Sequence, residues 1–346
     1  MDDCLVIKGC PSKFKDAVER DSVVRMEEYA NKSVSGETEK HLIICGGKGT
    51  GKRTLVNMFV NRVSACLDMK FKNIEYKNGN GTSAKTVLMP MFYTSNIVEF
   101  SVKDIEQRLK HFLKIIFTEI SESDYYDDPT YVVMHEANRI KNFPLIEYFM
   151  RIHHYCRFIF VSDNLSTFTP EILSQCSVIN TRKYTLIEKK KIANSVLNKC
   201  GHSDFPLDDL FSNGNIHTSK LSLKQILFHI EDVILGITKL GDVKKIKTLH
   251  DYTETLKRTL KNADSSNRNI NWKTVDKTMM NMLAKDVNVH SVMFELLMTR
   301  YSNKTPIPND LIDYLTTCSE RANTGSRPII HLQSFYSLLC QQRLIL

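Results

Sequence analysis

The sequence predicts a three-layer α/β domain built on a parallel sheet, continued by helices to the end of the chain. Three observations predict it. Short apolar runs bounded by turn residues alternate with helical spacing through the first part of the chain. A glycine-rich loop joins the first of those runs to a helix, and beyond Thr185 the strand-like runs stop.

Residues 1–40 read as helical or irregular and end in a polar stretch, Asn31 to Lys40. His41-Leu42-Ile43-Ile44-Cys45 then reads as a buried parallel strand, because it is a short uncharged run with no polar alternation. Behind the glycine-rich loop, Thr54 to Leu67 carries Leu55, Met58, Phe59, Val63 and Leu67 at helical spacing. The turn Lys77-Asn78-Gly79-Asn80-Gly81 separates two candidate strands. Val102 to Ile120 is an amphipathic helix with Ile105, Leu109, Phe112, Leu113, Ile116 and Phe117 on one side. Tyr131 to Met134 and Arg157 to Val161 are two further buried strands.

From Leu186 to Cys200 a lysine-rich helix follows, and helical patterns continue from there. Gly201 to Pro206 and Ala263 to Asn267 read as linkers. The chain therefore divides into an α/β domain over 1–184, a small helical domain over 185–240 and a separate helical domain over 241–346. The apolar positions Val292, Phe294, Leu296, Leu297, Leu332, Phe335, Leu338 and Leu339 read as helix-core patterning.

Composition narrows the partners. A chain of 346 residues is long for one core and fits two or three domains. No apolar run near a terminus approaches the roughly 20 residues of a membrane span. The first eight residues lack a basic segment and a long apolar segment, so no signal peptide and no membrane partner is expected. Nine scattered cysteines without a C-x-x-C pair point away from zinc and toward a reducing compartment. The net charge of +8 favours a polyanionic partner.

Gly46-Gly47-Lys48-Gly49-Thr50-Gly51-Lys52 fits the phosphate-binding pattern G-x-x-x-x-G-K, between a strand and a helix. Glycines let backbone N–H groups turn toward phosphate oxygens, the helix N-terminus adds its positive end, and Lys52 reaches the β/γ-phosphates. One position departs. The hydroxyl that would bind Mg²⁺ belongs directly after the lysine; Arg53 stands there, and Thr54 comes one place late. The acidic strand end departs too. After Val132-Val133-Met134 an Asp for Mg²⁺ and a Glu to orient water are expected, and the chain has His135-Glu136-Ala137-Asn138. Both departures fall on the magnesium side.

These motifs together resemble the replication factor C small subunits, members of the AAA+ ATPases. They are most similar to the subunit type at the end of the pentameric ring, whose ATP site is degenerate. That type carries G-x-x-G-x-G-K-K-T where Gly46 to Thr54 reads G-G-K-G-T-G-K-R-T, and N-E-A-N where this chain has H-E-A-N. Ser95 to Phe100 is similar to its S-x-Y-H-L-E strand. Met150 to Ser166 is similar to its sensor 1 segment, with Asp163 at the sensor position. The family's S-R-C, whose arginine reaches a neighbour's ATP, is Ser174-Gln175-Cys176 here. Its sensor 2 pattern G-N-L-R is Gly214-Asn215-Ile216-His217. Ile329 to Phe335 is similar to the collar segment I-x-H-L-E-x-F, and Trp272 and Pro306-Ile307-Pro308 fall where collar helices carry comparable residues. The N-terminal W-x-x-K-Y-R-P segment is absent from residues 1–30.

The resemblance implies an AAA+ base domain, a helical lid and a C-terminal helical collar. It implies ATP or ADP at Gly46 to Thr54, while Arg53 and His135 speak against Mg²⁺. It implies a nuclear subunit of a heteropentameric clamp loader, working with the other replication factor C subunits, the sliding clamp (proliferating cell nuclear antigen) and primer–template DNA. With His135, Gln175 and His217 in these places no catalytic set is intact, so hydrolysis by this chain is not expected. Either the neighbouring site is also degenerate or another residue such as Arg182 replaces the finger.

By analogy with such loaders, Lys110, Lys114 and Arg139 are the DNA candidates by phosphate contact. The runs Lys189-Lys190-Lys191, Lys244-Lys245-Lys247 and Lys257-Arg258 read as solvated helix faces or DNA contacts. Two rivals stand beside the loader reading: an autonomous AAA+ ATPase of replication initiation or helicase loading, and a small-molecule P-loop kinase.

Overall fold

An uncharged run such as His41–Cys45 is stable in a sheet only where both faces are covered. This strand, β1, is accordingly buried along its whole length and paired on both edges. The computed structural model describes residues 5, 9–37, 40–64, 69–78, 85–105, 108–122, 129–213, 221–237, 239, 249–265, 271–284, 289–302, 307–324 and 328–341. The chain forms two compact units, Met1–Gly241 and Asp242–Leu346.

In the first unit, β1 is joined by β2 (Lys70–Asn78), β3 (Lys85–Tyr93), β4 (Ile97–Ser101), β5 (Thr130–His135), β6 (Cys156–Ser162) and β7 (Cys176–Asn180). They make one seven-stranded sheet of order β2-β3-β4-β5-β6-β1-β7. The run from β4 to β7 is parallel throughout, and β2 and β3 add an antiparallel hairpin beyond β4. The α/β class expected from the sequence is therefore present, with its parallel strands where the buried runs lie.

Side chains alternate across the sheet. Leu42, Ile44, Tyr131, Val133, Ile159 and Val161 pack beneath α1 (Asp21–Val34) and α2 (Lys52–Val63), against Met26, Tyr29, Leu55 and Phe59. Ile43, Val132, Met134, Phe158 and Phe160 face the other layer. There α4 (Leu109–Glu122) and α5 (Phe143–Ile152) supply Phe112, Phe117, Ile146 and Phe149. In the described residues the amphipathic pattern expected from Val102 to Ile120 is carried by α3 (Val102–Ile105) and α4.

The strand β7 has no counterpart in the sequence reading. It is an edge strand, half-covered, so only Val178 and Ile179 of its middle are aliphatic and no continuous run announces it. After α6 (Pro170–Gln175) and β7 the unit continues through α7 (Leu186–Lys199), α8 (Leu207–Asn213) and α9 (Leu223–Ile234). Both α7 and α9 open on capping boxes, Thr185 with Glu188 and Ser222 with Gln225.

The second unit is helical in its described residues: α10 (Leu249–Ser265), α11 (Trp272–Ala284), α12 (Val289–Ser302), α13 (Asn309–Thr324) and α14 (Pro328–Gln341). Its core gathers Leu256, Met279, Val292, Leu296, Leu311, Leu332 and Phe335. Tyr336 Oη donates to the Leu256 carbonyl oxygen at 3.0 Å. Phe294 departs from its expected core role and is 51% exposed. On α12 the buried stripe runs through Val289, Val292, Met293, Leu296 and Leu297, and Phe294 falls off it.

One buried base makes this fold pH-sensitive. His41 Nδ1 accepts the Phe158 N–H at 3.0 Å, and its ring stands edge-on to Phe158. Burial, and then the charge of Arg157, pushes the imidazole down to about 4. Between that value and the ordinary one the unfolded chain holds a proton that the folded chain does not. Stability is therefore full above about 6.5 and falls as the pH drops toward about 4. His41→Asn keeps an acceptor in place of Nδ1 and cannot titrate. Urea unfolding at pH 7 and pH 4.5 should show the unsubstituted protein losing up to about 3 kcal/mol more than the variant.

Candidate phosphate-binding site

In an open parallel sheet, ligands bind outside the carboxyl ends of the strands, where the chain leaves in opposite directions from neighbouring strands. Here β1 is flanked by β6 and β7, and Gly46 to Gly51 leaves its carboxyl end to open α2. Gly46 is held tightly. Its N–H donates to the Ser162 carbonyl oxygen at 3.2 Å, and its φ is 153°. A Cβ there would lie 2.1 Å from Thr181 Oγ1 and 2.4 Å from the Thr181 carbonyl oxygen.

Thr181, just past β7, clamps the base of the loop. Its N–H donates to the Cys45 carbonyl oxygen at 2.7 Å and its hydroxyl to the same oxygen at 3.0 Å. The Thr50 hydroxyl lies 2.7 Å from the Thr181 hydroxyl and 2.9 Å from the Gly47 carbonyl oxygen, and its one proton is donated to either of them. Gly51, with φ 90°, precedes α2 and has Tyr184 Oη 2.3 Å from where its Cβ would be. Ser222, the cap of α9, lies against Gly49.

Lys52 and Asp163, proposed from separate motifs, meet here. The Lys52 ammonium pairs with Asp163 Oδ1 at 2.6 Å and donates to the carbonyl oxygens of Gly46 and Gly47, the latter at 3.0 Å. The lysine thus bridges the loop after β1 to the loop after β6. Arg53, next on the helix, is exposed and has no hydrogen-bond or ion-pair partner among the described residues. Thr54 is turned about 100° further round the helix, and its Oγ1 receives the Cys10 thiol at 3.7 Å.

The acidic strand end contains a pair that the motif alone did not reveal. His135 ends β5 on the face that carries Tyr131 and Val133, the side of α2. Its Nε2 lies 2.6 Å from Glu99 Oε1 on β4, both side chains almost wholly buried, with the imidazole N–H donating to the carboxylate. The register places Glu99 opposite Val133 and Ser101 opposite His135, so imidazole and carboxylate share one face. Glu136 follows in a left-handed conformation, φ 53°, and is exposed; Arg139 Nε donates to its Oε2 at 2.9 Å.

Mg²⁺, which such a loop ordinarily takes with its nucleotide, does not fit these side chains. The hydroxyl position after Lys52 is a guanidinium, the Thr50 hydroxyl is committed to Gly47 and Thr181, and the strand-end acid is His135, already bonded to Glu99. Among the described residues no group of three or more His, Cys, Asp and Glu is placed to hold a metal ion.

No protein-family model and no curated protein matches this chain. Among solved structures it is similar to RuvB. The likeness is to the Thermotoga maritima RuvB Holliday junction branch migration motor, at 13% identity and a TM-score of 0.48 over 94% of this chain and 91% of that one. A variant of Thermotoga maritima RuvB gives 12% identity and a TM-score of 0.44 over 97% and 91%.

Behind the loop sits a residue that the sequence reading passed over. Arg20, buried, donates to the Thr50 carbonyl oxygen at 3.3 Å and to the Arg182 carbonyl oxygen. Its guanidinium lies 4.2 Å from the Tyr184 ring centroid, and its Nε stands 3.5 Å from Glu188 Oε1. Glu188 also takes both guanidinium nitrogens of Arg182, at 2.8 and 2.7 Å. Burial pushes the Glu188 carboxyl up. The bonds from Arg182 and Thr185, with the charge of Arg20, outweigh that and hold it at about 2. Arg182 is thus paired with Glu188 while its side chain stays largely exposed.

Of the other proposed residues, Gln175 ends α6 exposed, with its amide donating to the Glu171 carbonyl oxygen at 3.2 Å. Lys110 and Lys114 lie exposed one turn apart on α4, while Arg139 is drawn onto Glu136. The lysine runs need correction at Lys189 and Lys257, whereas Lys190, Lys191 and Arg258 are exposed, as a solvated face requires. Lys189 is buried and donates to the Leu221 carbonyl oxygen at 2.7 Å, and burial, then Lys183, lowers its pKa. Lys190 pairs with Asp208, and buried Lys257 pairs with Glu254 at 2.7 Å. His217, with Gly214 to Ile216, and Lys244, Lys245 and Lys247 lie outside the described residues.

Proposed function

We propose that this chain is a nucleotide-binding, non-hydrolysing AAA+ subunit of a heteropentameric sliding-clamp loader of the replication factor C type. One observation carries the reading: a glycine loop ending in Lys52, at the carboxyl edge of a parallel sheet, beside a strand end where His135 replaces the acid. The loop offers backbone donors, a helix N-terminus and an ammonium to the phosphates of ATP or ADP. The strand end offers no carboxylate in the metal position, and Gln175 offers no charge to a neighbour. Binding without turnover is what this combination supports.

In this reading the second unit joins the collars of sister subunits, and its exposed Phe294 and Ile330 are available for that packing. Lys110 and Lys114 meet the phosphates of primer–template DNA, and the first unit bears on the clamp in the nucleus.

The purified full chain should bind ATP, and Lys52→Ala should weaken that binding roughly 10- to 100-fold, as expected for one charge-assisted contact of about 1.5–3 kcal/mol. Turnover should stay below about 0.01 per second; a value near 1 per second, ordinary for an enzyme, would favour the autonomous ATPase instead. Recovery of the tagged chain without sister loader subunits would overturn the assignment to a loader.

A further inference from the structure

We infer that the site takes its polyphosphate free of divalent metal, with the Arg53 guanidinium supplying the charge that Mg²⁺ supplies elsewhere. The inference rests on the phosphate-binding reading above and goes beyond it, because it names the ionic form of the ligand.

Arg53 occupies the second position of α2, the place from which a hydroxyl would hold the metal. Its side chain is exposed and without a partner among the described residues, although it stands next to the loop lysine and at a helix N-terminus. Cations are disfavoured in the first turn of a helix, where the dipole end is already positive. A guanidinium there gains a favourable environment once an anion arrives, and its planar fork matches two phosphate oxygens at once.

The opposite wall points the same way. A carboxylate in the His135 position would draw a metal ion in; the imidazole there is held by Glu99 at 2.6 Å, and that bond satisfies Glu99 as well. Mg²⁺ already carried on the phosphates would meet the charges of Lys52 and Arg53, and the Asp163 carboxylate is itself bonded to Lys52. The metal therefore competes with the protein's own cations for the same oxygens. Metal-free ATP and ADP are the favoured ligands, and Mg²⁺·ATP is the disfavoured one.

Calorimetric titration of the full chain with ATP, at fixed ionic strength, tests this in excess EDTA and in excess Mg²⁺. The expected dissociation constant is at least threefold lower in EDTA. Any tightening by Mg²⁺, or equal affinity in the two conditions, overturns the inference and leaves nucleotide binding itself standing. Absence of ATP binding in both conditions overturns the phosphate-binding reading and this inference with it. Arg53→Thr restores the ordinary hydroxyl at an exposed position, so its fold should be kept, as checked by thermal unfolding. It should weaken binding in EDTA about tenfold and reverse the preference toward Mg²⁺; a variant that binds as tightly in EDTA as the unsubstituted chain removes Arg53 from the role.

Discussion

Replacing His135 with Asp, the residue an ordinary acidic strand end would carry, should destabilise the first unit by about 3–5 kcal/mol. The reason lies one strand away. Glu99 Oε1 is 2.6 Å from His135 Nε2, and both groups are buried between the sheet and the α2 layer. An Asp at 135 would set two carboxylates against each other where water is too scarce to screen them. His135→Ala should also be costly, because it leaves Glu99 buried without its imidazole partner.

The decisive measurement is a double-variant cycle. His135→Asp with Glu99→Gln replaces the repulsion by an amide donating to a carboxylate, so the pair should recover most of what the single substitution loses. Chemical unfolding of the four proteins gives the coupling. A value near zero would mean that His135 and Glu99 do not interact. The sequence displays His135 at the motif and hides its partner Glu99 on a neighbouring strand.

That division recurs through the molecule. β1, β5 and β6 were legible because strands covered on both faces must be apolar at nearly every position, whereas β7, an edge strand, was not. The glycine-rich turn between β1 and α2 was legible because its glycines follow from backbone geometry at fixed spacing. Glu99 was not, because its partner is 36 residues away and is set by the register of β4 on β5. Nor was Arg20, whose acceptors lie 30 and 162 residues away and carry no motif. Lys189 is a different case. It falls on the stripe of Ala193, Val196 and Leu197, so the period of α7 already contained its burial, and the run of three lysines obscured it.

The glycines of the loop also divide, and only the structure separates them. Gly46→Ala should destabilise the first unit by about 3 kcal/mol, a fall of roughly 10 °C in its unfolding midpoint. Gly47→Ala, one residue on, should leave the midpoint nearly unchanged. Gly46 adopts a positive φ, and its added methyl would meet the Thr181 carbonyl at 2.4 Å, a backbone atom that cannot rotate away. Nothing lies within 4 Å of the corresponding position at Gly47. Relief at Gly46 would require Thr181 to retreat from Cys45, giving up two hydrogen bonds to the Cys45 carbonyl oxygen and the contact with the Thr50 hydroxyl. The loop would then lose the clamp that joins it to β7. Thermal unfolding of the two variants side by side measures the difference, and equal midpoints would show that Thr181 does not hold the loop.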